Sequence, residues 1–196
     1  SVRGVGGLNR GGSARVPVRL YEPDVAGLHR APKPKRAPEP QPELEPWGTL
    51  VWAHGGSFLR GTLDWPEAGW VARSFAGAGL RVYSVDYALA SDTVKAPAPS
   101  NDVAAVLREG RARHTGPVFI GGASAGGHLA VLAALAQADV AASLGDPTLR
   151  PDGLVLIYPT LHRSQRRNAA ITKLTAKLPE NLRFGPERVA GMYEFY

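Results

Sequence analysis

Cysteine is missing from all 196 residues. Its absence excludes disulfides, thiolate nucleophiles and cysteine-ligated zinc. No uninterrupted apolar run of about 18 or more residues occurs, so no membrane span is expected. The opening residues, SVRGVGGLNRGGSAR, carry arginines but lack the apolar stretch of roughly 7–15 residues found in a signal peptide. A cytoplasmic location is therefore expected. Nor does any segment interleave basic residues with aromatics, as a base-stacking surface requires. The formal net charge of +6 reads as an arginine-rich solvated surface, with no nucleic-acid partner expected. What is present is an ordinary globular composition, 44% hydrophobic and 20% charged, at a length suited to one domain.

Along the chain, residues 1–14 are rich in glycine and arginine and are expected to form a flexible N-terminus. RVPVRLYEP (15–23) alternates apolar and polar residues, as a half-buried strand does. APKPKRAPEPQPELEP (31–46) is crowded with proline, which lacks a backbone donor, so it reads as an extended insert. Docking to a PxxP-binding partner is its sharper alternative. Strands are expected at 48–54, 80–87, 117–122 and 153–159, and helices at 66–79, 100–113 and 126–138. Pro66 suits a first helical turn, Gly79 a helix stop, and Ser-Asn-Asp at 100–102 a capped start. Strands alternating with helices predict an α/β fold whose sheet is mainly parallel.

Two glycine segments carry the chemistry. Gly122-Ala123-Ser124-Ala125-Gly126 matches G-x-S-x-G between an expected strand and an expected helix, the context that the motif requires. There a sharp turn pushes the serine hydroxyl outward, and the helix N-terminus supplies backbone donors beside it. WAHGGSF (52–58) follows an earlier strand and resembles the HGGG-type loop of esterases and lipases. A plain glycine-rich chain reversal is the competing reading of the first segment.

With HGGSFLRGTLD (54–64), VYSVDYALA (82–90), NDVAAVLREG (101–110) and GLVLIYP (153–159), the chain resembles the hormone-sensitive-lipase-like, or fold-3, group of α/β-hydrolases over residues 15–159. The resemblance implies a carboxylic ester hydrolase working through an acyl-enzyme, with a small-molecule ester substrate and no metal or cofactor. It makes Ser124 the nucleophile and the amides of Gly55, Gly56 and Ala125 the oxyanion hole, with His54, Gly122 and Gly126 as structural parts of the motifs. Residues 160–196 would form a cap-like segment. Two departures stand out: Ala123 where many relatives carry Asp, and Ser57 in place of the third glycine.

In this family the triad acid and histidine follow the nucleophile in the chain. Here they are expected to be absent, which leaves the chain weak or inactive by itself. Among its histidines, His162 is the best placed. His128 should point along its helix, and His29 and His114 read as surface residues. Asp64 and Asp86 read as turn or capping residues. A fold incomplete at its C-terminal edge would expose the strand at 153–159 and invite self-association. Two rivals remain: a non-catalytic small-molecule-binding protein on the hydrolase scaffold, and a nucleotide-binding domain. The latter lacks both a Gly-Lys-Ser/Thr sequence and a G-x-G-x-x-G opening a helix.

Overall fold

A computed structural model describes residues 2–9, 15–23, 45–162, 173, 176, 177 and 186–196. Most of the proline-rich insert (31–44) and much of the cap-like segment lie outside them. In chain order the elements are β1 (Val2–Asn9), β2 (Arg15–Tyr21), β3 (Gly48–Ala53), α1 (Pro66–Gly77), β4 (Leu80–Val85), α2 (Ala98–Arg113), β5 (Val118–Ala123), α3 (Ala125–Leu144), β6 (Gly153–Ile157) and α4 (Pro186–Phe195). Among the described residues they build a six-stranded sheet of order β1-β2-β4-β3-β5-β6. Strands β4, β3, β5 and β6 run parallel, while β1 and β2 join antiparallel. The sheet is thus mixed, with a parallel half that carries both glycine segments.

The period-2 alternation of β3 splits the core. Leu50 and Trp52 pack with Val71, Ala72 and Ala76 of α1 on one face. Val51 and Ala53 belong to the other cluster, with Val103, Leu107, Leu129 and Ala133 of α2 and α3. Every residue of β3 is buried, as a strand covered on both faces requires. Full burial of side chains such as Leu50 and Val51 stabilises the fold by about 1.5–3 kcal/mol each. By length and composition α3 meets the membrane-span criterion, yet Leu129, Ala130 and Ala133 are buried against the sheet.

Two elements differ from the sequence expectation. Residues 2–9, expected to be flexible, form β1, because backbone pairing with β2 does not depend on apolar side chains. Helix α2 begins at Ala98 rather than at the Ser-Asn-Asp triplet, with a proline in its first turn and no side-chain cap. Asp102 instead sits buried inside the helix and accepts from the Ala88 amide at 2.8 Å. Its carboxylate ties the loop after β4 to α2.

Candidate functional site

The chain leaves β5 at Ala123 and enters α3 at Ala125, so Ser124 alone makes the turn. Its φ of 50° and ψ of −117° are sparsely populated for a residue with a side chain, at a cost of about 1–3 kcal/mol. Three hydrogen bonds hold it. The Ser124 amide donates to Ile157 O at 3.0 Å, and its carbonyl accepts from the amides of His128 (3.2 Å) and Thr160 (3.1 Å). Glycine is obligatory on both sides. A Cβ at Gly122 would lie 2.4 Å from the Gly126 backbone, and one at Gly126 only 2.2 Å from Ala53 O. The half-buried Ser124 has its Oγ 3.4 Å from Thr160 Oγ1.

The loop after β3 is wound as tightly. Positive φ runs through Gly56 (131°), Ser57 (57°) and Phe58 (65°) and returns at Gly61 (121°). At Gly61 a Cβ would strike the His54 ring at 2.3 Å. The turn closes with the Leu59 and Arg60 amides donating to Gly56 O. Parallel pairing of β3 with β5 brings the two segments together: a Cβ on Gly55 would stand 3.6 Å from Ser124 Cβ. The Gly55 amide donates to Glu67 Oε2 at 3.3 Å. The amides of Gly56, Ser57 and Ala125 have no acceptor among the described residues.

His54 is fully buried, and burial holds its pKa below the usual imidazole value. In that neutral ring Nδ1–H donates to Gly55 O at 2.6 Å. Tyr87 stacks on the ring at 4.5 Å and donates its hydroxyl to His54 O at 2.9 Å. Burial pushes the Tyr87 hydroxyl pKa up, so it stays a donor. Asp86 Oδ1 lies 4.0 Å from His54 Nε2, and burial raises its carboxyl above the usual range. These contacts shape the loop; none reaches the Ser124 hydroxyl.

His128 donates from Nδ1 to Thr160 O at 2.9 Å and sits among Phe58, Tyr193 and Tyr196. Burial lowers its pKa as well. Pinned in this aromatic box, it serves packing. His162 is exposed, and the hydroxyl partner of Ser124 among the described residues is Thr160, not an imidazole. His29 lies outside the described residues. His114 is not the surface residue expected. Its ring nitrogens meet Arg81 Nη1 at 2.6 Å and the Tyr83 hydroxyl at 2.9 Å, remote from Ser124 at the start of β4. Asp64 is exposed and pairs with Arg19 at 2.8 Å.

Sequence reasoning missed Glu67 and Thr160. Glu67 lies in the first turn of α1, where the helix dipole favours any acid, so nothing in the sequence set it apart. Thr160 follows the strand expected at 153–159, and because that strand pairs parallel with β5 its exit loop arrives next to Ser124. A cavity of about 390 Å³ opens beside this site, with Glu67, Trp70, Ala123, Ile157 and Tyr158 on its walls. The assembly presents a hydroxyl on a strained turn, beside amides without an acceptor among the described residues. That arrangement suits attack on a carbonyl whose oxygen gains negative charge.

The fold has known relatives. The sequence profile of the alpha/beta hydrolase fold matches residues 50–192. An esterase from Pyrobaculum calidifontis superposes with a TM-score of 0.71 at 23% identity, covering 100% of this chain and 56% of its own. EstE1, a thermostable carboxylesterase from a metagenomic library, gives 0.70 at 22%, covering 100% and 58%. Carboxyl esterase 2 of Tuber melanosporum gives 0.66 at 21%, covering 100% and 56%. The chain thus spans little more than half the length of these esterases. No curated protein matches it. The chain belongs to the α/β-hydrolase fold family, in its hormone-sensitive-lipase-like esterase group.

Proposed function

We propose that this chain carries the nucleophile and oxyanion half of a serine hydrolase acting on small carboxylic esters. The observation that carries the reading is the apposition of Ser124, on its strained turn, to the Gly55–Ser57 loop. Ser124 Oγ attacks the ester carbonyl while a base takes its proton. The tetrahedral oxyanion collapses, the alcohol leaves with a proton, and water then hydrolyses the acyl-serine. Gly56 and Ala125 donate to the oxyanion. The Gly55 amide is already given to Glu67, so its expected share passes to Ser57, and Gly55 holds the loop against the turn. Each such donor supports the rate by about 10²–10³. His54, Gly122 and Gly126 keep the two segments in register. Part of 160–196 forms the rim, since Tyr193 and Tyr196 of the α4 end close around Phe58.

No imidazole among the described residues is hydrogen-bonded to the Ser124 hydroxyl. Loss of the triad base can remove about 10⁶ of kcat, so slow turnover is expected of the chain alone. The lack of a described base equally favours a second reading, a binding protein on the hydrolase scaffold. Hydrolysis of p-nitrophenyl acetate by the chain and by Ser124→Ala separates them. Slow turnover that drops to the buffer rate in the variant supports the nucleophile. Turnover that survives the substitution defeats it. Self-association through the β6 edge belongs to this proposal and is tested by sedimentation.

A further inference from the structure

The loop after β6 grips Ser124 at two points. It bends at Tyr158, whose φ of 37° lies in the left-handed region that side chains disfavour. Through that bend Ile157 O accepts from the Ser124 amide at 3.0 Å, and the Thr160 amide donates to Ser124 O at 3.1 Å. Pro159, between them, packs on the start of α3, where a Cβ on Gly127 would lie 2.8 Å from Pro159 Cβ.

The backbone of Thr160 is itself anchored. Its carbonyl accepts from His128 Nδ1 at 2.9 Å and from the Tyr193 hydroxyl at 2.7 Å, which fills both lone pairs. Burial lowers the His128 pKa and raises that of Tyr193, so the ring stays neutral and the hydroxyl keeps its proton. Helices α3 and α4 thus fix Thr160 together. The polar group left over is its hydroxyl, which stands 3.4 Å from Ser124 Oγ. Neither hydroxyl has another hydrogen-bond partner among the described residues.

The two side chains differ in stiffness. Threonine is β-branched and restricted at χ1, whereas a serine hydroxyl can turn among three staggered wells. The fixed Thr160 can therefore orient Ser124, and the reverse does not hold. At 3.4 Å the pair exceeds the usual hydroxyl bond of about 2.5–3.0 Å, and catalytic hydrogen bonds are often long until substrate binds.

We propose that the Thr160 hydroxyl is a positioning group that holds Ser124 Oγ in one rotamer for attack. A typical net hydrogen bond favours one well about fivefold over each alternative, giving about 70% occupancy in place of about a third. The role in attack rests on the ester-hydrolase reading; the hold on the rotamer does not.

The test uses the full chain labelled with ¹³C and ¹⁵N at serine, whose three-bond couplings report the χ1 of Ser124. Its signals are identified by their loss in Ser124→Ala. The parent should show one dominant rotamer. Thr160→Val keeps the amide, the carbonyl and the branched shape but loses the hydroxyl, and should average the couplings. Thr160→Ala, a second chain without the hydroxyl, should do the same, and Thr160→Ser should restore the dominant rotamer. Hydrolysis of p-nitrophenyl acetate in excess of the Ser124→Ala rate should fall about twofold or more in Thr160→Val. The loss should lie in kcat with KM unchanged, and Thr160→Ser should recover it. If no chain exceeds Ser124→Ala, the nucleophile reading fails, and the couplings still decide whether Thr160 holds the rotamer. Parent-like couplings in folded Thr160→Val or Thr160→Ala overturn the proposal, as does a parent already averaged. So does a Thr160→Ser chain that stays averaged, which assigns the effect to packing, or a loosened rotamer with an undiminished Ser124-dependent rate.

Discussion

Ser124 can hold φ at 50° only because atoms on three sides deny it anything else. Ile157 O takes its amide, Thr160 and His128 bind its carbonyl, and Gly126 lets Ala53 and His54 press against the first turn of α3. A methyl group at 126 would meet Ala53 O at 2.2 Å and His54 O at 2.3 Å, and neither backbone atom can retreat without parting β3 from β5. Gly126→Ala should therefore cost about 1–3 kcal/mol, the usual range for overpacking, and lower Tm by several degrees. Gly77 provides the contrast. It ends α1 with open space where a Cβ would stand, nothing lying within 4 Å, and no positive φ. Gly77→Ala should accordingly stabilise by about 0.4–1 kcal/mol. Thermal denaturation checks both, and a Gly126→Ala chain as stable as the parent would refute the crowding. At this scale the spacing G-x-S-x-G was enough to find Ser124 and both flanking glycines, because the constraint is local. Glu67 was not legible in the same way: its contact with Gly55 depends on where α1 docks.

Among elements, the join between β4 and α2 depends on a histidine that must stay unprotonated. Arg81 donates to His114 Nδ1, which leaves Nε2–H for the Tyr83 hydroxyl. Glu22 on the far side holds Arg81 at 2.9 Å. Burial lowers the His114 pKa, and the nearby Arg81 charge lowers it further. Burial likewise lowers His54 and His128. For a lowered histidine the unfolded chain takes up protons first. Stability is then present above the unfolded value, 6.5, and falls as pH drops through it toward the folded value. The raised Asp86 carboxyl acts in the opposite sense, but closer to the ordinary carboxylate range. Tm should decline between pH 7.5 and 5.5, and His114→Gln should flatten part of that slope. A Tm unchanged across this range would contradict the account. Hydropathy patterning placed β3, β5, α1 and α3 well, since each buries an apolar face. It missed β1, held by backbone pairing, and the true start of α2, because Asp102 reads as a cap in sequence but serves a loop 14 residues earlier.

For the whole molecule, the outstanding feature is that β6 pairs with β5 on one side only among the described residues. Exposed edges are commonly guarded by lysine, proline or a bulge, and the GLVLI of β6 has none of these. Leu154 is 48% exposed on it, and Leu135 of the neighbouring α3 is 58% exposed. A second copy can satisfy this edge through a two-fold axis at Val155. Running antiparallel, Gly153 would then face Ile157 of the partner, and Leu154 would face Leu156. Such pairing fills the open amides and covers Leu154 and Leu135 on one face of the joined sheet, which a monomer leaves in water. Sedimentation velocity should accordingly show a concentration-dependent shift toward dimer. Leu154→Lys, placing a charge on the strand, should hold the chain monomeric at the same concentrations with its fold intact. If the parent sediments as one monomeric species even at the highest concentration, the edge is covered by the chain itself, and the two-fold pairing is wrong.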